Sequence, residues 1–219
     1  MAKPKITLFV DTVSPFAYMA FYALQNFPIF KQVEITYIPI FLGGLMKACG
    51  NNAPINIKNK DKWIDIERKR WARLFEIPMK EGMPSGFPPM TLPTQRALCA
   101  LSLHNPGKLA AAMEALFSAL WVEHKPVQSA ETLSSVLAGV LGKNEAKTVM
   151  EKSTSPEAKS LLTKNTDLAF SEGGFGLPWF VATNSSGATE GFWGFDHLGQ
   201  LADFLQLERP KTGGWRAML

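Results

Sequence analysis

The sequence predicts an α/β protein whose sheet is interrupted by a long helical segment. Three observations carry that expectation. An apolar, β-branched run from Ile6 to Val10 breaks at Ser14-Pro15 and turns into a helical pattern. Helical periodicity then dominates from Asp61 to about residue 172. Strand character returns at Pro178, followed by a hairpin signal and one more apolar helical stripe.

In chain order, Pro15 suits a first helical position, because its missing N–H would be unpaired there and its φ is already helical. Ser14 then falls at the N-cap. Its hydroxyl can accept from a first-turn amide or face a ligand, in the positive field where an anion is favoured. Ala17 to Phe27 carries Met19, Phe21, Tyr22 and Leu24 on a broad apolar face and stops at Pro28. Val33 to Ile40 alternates and reads as a second strand, so this opening suits a parallel βαβ unit. Gly43-Gly44 loosens the chain, and the Asn/Pro-rich stretch from Gly50 to Lys60 reads as a surface loop.

Within the helical segment, Trp63, Ile66, Arg70, Trp71 and Leu74 fall at helical spacing up to Ile77-Pro78, and a Gly/Pro-rich loop runs to Pro93. Leu109, Met113, Leu116, Phe117, Leu120 and Trp121 form a second stripe. Leu133, Val136, Leu137, Val140 and Leu141 form a third, opening after Ser129 as a cap and ending at Gly142. Ser155-Pro156 opens a helix with Leu161, Leu162, Leu168 and Ala169 on its face and Gly173-Gly174 at its end. All these stripes read as core. Pro178 to Thr183 is a strand, Ser185-Ser186-Gly187 a hairpin loop, and Thr189 to Trp193 the return strand. Asp196 caps a final helix bearing Leu198, Leu201, Phe204 and Leu205. This order is that of a thioredoxin-like fold with an inserted helical domain. The expected parts are 1–60 (βαβ), an insertion over 61–172, and 173–219 (ββα).

Composition narrows the function. A net charge of +4 is mildly basic, but Lys and Arg are interleaved with Asp and Glu and form no tract, which favours small anionic ligands over nucleic acid. Cys49 and Cys99 form no CxxC, and His104, His124 and His197 have no neighbour at ligand spacing, so no metal is expected. Both cysteines read as small buried hydrophobes in a reducing compartment. No apolar run reaches the roughly 18 residues of a membrane span, and the N-terminus enters a strand without a signal-peptide pattern.

Ser14-Pro15-Phe16-Ala17-Tyr18, Phe175-Gly176-Leu177-Pro178 and Gly194-Phe195-Asp196-His197-Leu198 resemble, in order, the kappa-class glutathione transferases and the related 2-hydroxychromene-2-carboxylate isomerases. Gly44-Leu45-Met46-Lys47 ahead of Gly50-Asn51, and Arg73-Leu74 ahead of Ile77-Pro78, extend the likeness over nearly the whole chain. Both groups belong to the DsbA branch of the thioredoxin superfamily. The resemblance implies that Ser14 stands where oxidoreductase relatives carry a nucleophilic cysteine and donates a hydrogen bond to the glutathione sulfur. Ala17 takes the place of the second cysteine, so the site cannot cycle a disulfide of its own. The resemblance further makes Leu177-Pro178 the cis-proline segment whose backbone pairs with glutathione like an added strand. It gives Asp196 the γ-glutamyl ammonium, and Asn51 and Lys60 the glycyl end and carboxylate, with Asn52, Lys58 or Lys62 as substitutes should the loop register slip. Pro15 lies within the first motif. Phe195 departs from the serine of animal kappa enzymes, so its backbone can serve but it offers no hydroxyl. His197 reads as helix surface.

The implied function is a kappa-type glutathione transferase, in which the thiolate attacks a soft, hydrophobic electrophile or reduces a hydroperoxide. Trp193-Gly194 and Arg70-Trp71-Ala72 resemble the isomerases, leaving glutathione-dependent isomerisation as an alternative. A non-catalytic glutathione-binding module is a third, with Phe16, Phe41, Trp179 or Phe195 closing the electrophile pocket. The family implies a homodimer. Ala217-Met218-Leu219 is a degraded form of the Ser-Lys-Leu address, so the expected location is cytoplasmic, mitochondrial or peroxisomal.

Overall fold

A run that is apolar on both sides belongs at the centre of a sheet, and β1 (Lys5–Val10) lies there. The computed structural model describes residues 2–218. Among these, β1 joins β2 (Glu34–Pro39), β3 (Trp179–Thr183) and β4 (Thr189–Trp193) in one sheet of order β2-β1-β3-β4. The β1–β2 pair is parallel, Lys5 opposite Glu34 and Val10 opposite Pro39; β1–β3 and β3–β4 are antiparallel. Pro39 is tolerated because β2 is an edge strand. Parallel β1–β2 needs a crossover, which α1 (Pro15–Asn26) supplies.

Between β2 and β3 the chain runs through α2 (Leu42–Ala48), α3 (Lys60–Leu74), α4 (Leu92–His104), α5 (Leu109–Trp121), α6 (Ala130–Leu141), α7 (Lys143–Lys152) and α8 (Pro156–Ser171). After β4 come a 3-10 turn over Phe195–His197 and α9 (Leu198–Phe204). α5 packs into the core against α1: Phe117 lies 5.5 Å from the Tyr18 ring and 5.4 Å from that of Phe21, tying the helical segment to the βαβ opening. A second aromatic cluster gathers Phe75 after α3, Phe195 and Trp215, with Phe75 at 5.3 Å from Phe195 and 5.6 Å from Trp215.

Several expectations are corrected. Gly43-Gly44 does not loosen the chain but lies inside α2. Held by contacts at its start, that short helix overrides two poor helix formers. The α3 stripe is not core as read: Trp63, Ile66 and Leu74 are exposed, whereas Arg68 and Ala72 are buried. Leu168 of α8 is likewise exposed, and Leu162, Thr166 and Ala169 face inward. Asp196 does not cap the last helix: it sits within the 3-10 turn, and neither that turn nor α9 has a side-chain cap. Of the Ala217-Met218-Leu219 signal, Leu219 lies outside the described residues.

The end of α8 sets the approach to β3. Gly173 at φ 88° lets its N–H reach Phe170 O (3.0 Å), and Gly174 N–H reaches Ala169 O (2.8 Å), satisfying two terminal carbonyls. A Cβ on Gly174 would stand 2.6 Å from that same Ala169 oxygen, which is backbone and cannot swing away. Gly174→Ala is expected to cost about 1–3 kcal/mol, read as a lowered denaturant midpoint at unchanged slope. An unchanged midpoint would mean that the turn gives way freely.

Candidate functional site

The site forms where β1 ends. Ser14 is the N-cap of α1 at φ −87°, ψ 117°, with Pro15 in the first helical turn as the sequence predicts. The serine is 6% exposed; its Oγ accepts from Ala17 N (3.2 Å) and donates to Leu177 O over a long 3.4 Å. The hydroxyl hydrogen is therefore only weakly held. No acidic residue occupies the first turn of α1, so the positive end of this helix is not offset locally.

Leu177-Pro178 is cis and leads directly into β3. The structure thus brings together two segments 163 residues apart, the Ser14 cap and the carbonyl before the cis-proline. Asn51 joins them from the loop after α2: its Nδ2 donates to Phe175 O (2.9 Å), and its Oδ1 accepts from Asn52 N (2.8 Å). Cys49 Sγ also approaches Phe175 O, at 3.8 Å, besides Leu45 O at 3.1 Å. Phe175 itself is exposed beside Trp193, ring centroids 5.0 Å apart, forming an aromatic shelf next to the cis-proline segment.

The remaining predicted residues are more loosely placed. Lys60 begins α3 and is exposed; its N–H donates to Ile57 O (2.9 Å), and among the described residues no hydrogen bond or ion pair engages its ammonium group. Asn52, Lys58 and Lys62 are exposed as well. Asp196 is exposed, 3.5 Å from His197 Nδ1. The Phe195 side chain is buried against Trp71 and Phe75, so only its backbone is available, as its identity suggests. Clefts of about 230 and 220 Å³ lie elsewhere, the second beside α2 between Phe41, Arg96 and Lys159; neither includes Ser14. Burial pushes the Cys99 thiol up to about 12, which leaves it inert at neutral pH.

Sequence reasoning missed the polar shell behind Ser14. Asp11, fully buried, accepts from Thr91 Oγ1 (2.7 Å), Gln95 Nε2 (3.0 Å) and Val13 N (3.2 Å) at Oδ1, and from Leu42 N (2.9 Å) at Oδ2. Burial pushes its carboxyl up to about 6, against the lowering effect of those four bonds. The one local signal is a short polar residue ending an apolar strand, two residues before the Val13 amide it accepts from; its other partners come from α2, α4 and the α4 N-cap and have no trace at sequence spacing. Among the described residues, no group of three or more His, Cys, Asp and Glu side chains is placed to hold a metal. No described helix is long and apolar enough to cross a membrane.

Over residues 5–206 the sequence matches the family described as DSBA-like thioredoxin domain. The chain belongs to this DSBA-like family. Among curated proteins similar to it, glutathione S-transferase kappa 1 of Caenorhabditis elegans is 27% identical over 217 residues, covering 94% of this chain and 93% of the relative. Glutathione S-transferase kappa 1 of Rattus norvegicus is 28% identical over 204 residues, covering 91% and 90%. Among solved structures, 2-hydroxychromene-2-carboxylate isomerase matches with TM-score 0.73 at 22% identity, covering 92% of this chain and 94% of that one. The cytosolic disulfide reductase DsbM of Pseudomonas aeruginosa with GSH matches with TM-score 0.62 at 14% identity, covering 92% and 96%. These two likenesses speak to the DSBA-like fold, and Ser14 and Ala17 in this member leave no cysteine pair at the start of α1.

Proposed function

We propose that this chain is a glutathione transferase of kappa type, with Ser14 as the residue that activates the thiol. The observation that carries this reading is the Ser14 hydroxyl, weakly held at the N-terminus of α1 and facing the cis-Leu177-Pro178 segment. The full-length similarity to kappa transferases supports it. In the bound state the cysteinyl amide of glutathione pairs with the Leu177 carbonyl, displacing Ser14 Oγ, whose hydrogen turns to the sulfur. Asp196 takes the γ-glutamyl ammonium, Asn51 the glycyl end, and Lys60 its carboxylate, while Pro15 and the Phe195 backbone shape the walls.

Lowering a thiol pKa from about 8.5 by ~2 units requires about 2.7 kcal/mol of preference for the thiolate. One charge-assisted hydrogen bond of ~1.5–3 kcal/mol and a helix N-terminus of ~0.3–1 kcal/mol supply that. Chemistry then follows from proximity: the thiolate forms a C–S bond with a soft electrophile as its leaving group departs with the electron pair. A hydroperoxide is the second class of acceptor. The aromatic shelf of Phe175 and Trp193 suits a hydrophobic partner.

The test is a pH titration of thiolate absorbance with glutathione bound to the wild-type protein. A thiol pKa lowered by at least about one unit is expected. Failure to bind glutathione, or an unshifted thiol, removes the transferase reading. Product analysis with an aryl halide then separates consumption of glutathione from its recovery unchanged.

A further inference from the structure

The Ser14 cap depends on a turn that is held both from within and from outside. Asp11 O accepts from Ser14 N (3.1 Å), closing the turn, while Asp11 Oδ1 accepts from Val13 N inside it (3.2 Å). From outside, Thr91, the N-cap of α4, contributes its Oγ1, α4 its Gln95 Nε2, and α2 its first amide, Leu42 N, all to the Asp11 carboxylate. Gln95 Nε2 also reaches Thr12 Oγ1 (3.1 Å), and Trp121 Nε1 at the end of α5 donates to Thr12 O (2.9 Å). Every group in this shell is buried or backbone, and Asp11, Thr12, Thr91 and Gln95 are each at most 1% exposed.

The helical segment between β2 and β3 therefore grips the turn at Thr12 and, through three of its donors, at the Asp11 carboxylate. We propose that Asp11 is a positioning residue for Ser14: its carboxylate, held by Thr91, Gln95 and the α2 amide, fixes the turn that aims the serine hydroxyl and the first amides of α1. The inference rests on the transferase reading for its consequence, but its geometry stands apart from glutathione. Leu42 N–H and Val13 N–H can only donate, so the two carboxylate oxygens must both accept. An asparagine at position 11 cannot satisfy both, because its NH2 opposes Leu42 N–H in one orientation and Val13 N–H in the other. Arg96 of α4 and Lys159 and Asp167 of α8 line the cleft at Phe41 and Gly44. None of these charged groups hydrogen-bonds to Asp11.

The test uses the full chain as wild type, Asp11→Asn, Thr91→Val and Thr91→Ser, with glutathione as probe. Two readouts are followed: the thiol pKa of bound glutathione, and amide hydrogen exchange at Val13, Ser14 and Ala17. Asp11→Asn is expected to raise the bound thiol pKa by about one unit and speed exchange about tenfold. Thr91→Val, which keeps shape and removes one donor, moves both in the same direction by less, and Thr91→Ser restores wild-type values. Exchange is read against core amides of β1 and β3, because lost stability alone speeds exchange everywhere; variants whose thiol pKa is unchanged and whose exchange rises no more at Val13, Ser14 and Ala17 than in the core overturn the proposal. Should the wild type leave the thiol unshifted, the transferase reading fails and exchange alone decides. Exchange that speeds more at the turn than in the core in Thr91→Val, and not in Thr91→Ser, then upholds the positioning role, and an equal rise in turn and core refutes it.

Discussion

Ser14→Ala is expected to raise the thiol pKa of bound glutathione by about one to two units and lower kcat/KM about 100-fold, with KM for glutathione little changed. The magnitude follows from what the hydroxyl does. A hydrogen bond to an anion is worth ~1.5–3 kcal/mol, or roughly 10- to 150-fold in the thiolate fraction or transition-state energy. The α1 amides remain in the variant and keep their ~0.3–1 kcal/mol, so activity falls but does not vanish. Affinity is expected to survive because the proposed site assigns the other parts of the tripeptide to Leu177, Asn51, Lys60 and Asp196. The serine also accepts from Ala17 N at 3.2 Å, and losing this cap costs about 1 kcal/mol of stability. Rates are therefore compared at a temperature where both proteins are fully folded. A variant with an unshifted thiol pKa and near wild-type kcat/KM would falsify the assignment of Ser14.

What was legible in the sequence was whatever depended on local chemistry. Ser14, Ser129 and Ser155 each cap the helix expected of them, because the signal is a side chain three residues from the amide it accepts. The parallel pairing of β1 with β2 and the β3–β4 hairpin follow from strand length and connection length. The cis Leu177-Pro178 bond was available only through family resemblance, since X-Pro is trans by default. Gly43 and Gly44 misled because propensity argues against a helix there. Asp11 at Leu42 N and Thr166 at Phe41 N stabilise its start from afar, and a Cβ at Gly43 would lie 2.9 Å from the Phe41 ring. α4 escaped assignment because it buries Thr94 and Gln95 among its apolar residues, blurring the stripe. Asp196 has the composition of a cap but lies inside a turn whose position is set by Phe195, buried against Trp71 and Phe75. Asp11 is the instructive omission: its four donors come from three separate stretches of chain.

Arg68→Ala is expected to destabilise the protein by about 2–4 kcal/mol, from a cavity and lost carbonyl donors, measured as a fall in unfolding free energy by denaturant titration. Arg68 lies outside the apolar stripe of α3 and is fully buried. Its guanidinium donates to Asp65 Oδ1 from Nε (3.1 Å) and Nη2 (2.5 Å), and to the carbonyls of Lys80 (3.2 Å) and Gly82 (2.5 Å). Its Cζ lies 6.0 Å from the Trp121 ring centroid. Burial opposes the charge on Asp65, but Lys69 and Arg68 outweigh it and hold that carboxyl below its usual range. Truncation to alanine leaves Asp65 able to turn to water and Lys69, so the main cost is elsewhere. Two loop carbonyls lose their donor, at about 1–3 kcal/mol each where buried, and a cavity opens against Trp121. Because Trp121 anchors Thr12, that cavity loosens the support of the Ser14 turn as well. Arg68→Met separates the two contributions: it refills the volume and leaves the carbonyls unpaired, so it is expected to recover only part of the loss. If alanine costs under about 1 kcal/mol, the loop from Lys80 to Gly82 is held by something other than this arginine. If methionine restores full stability, packing against Trp121 and not hydrogen bonding is what Arg68 contributes.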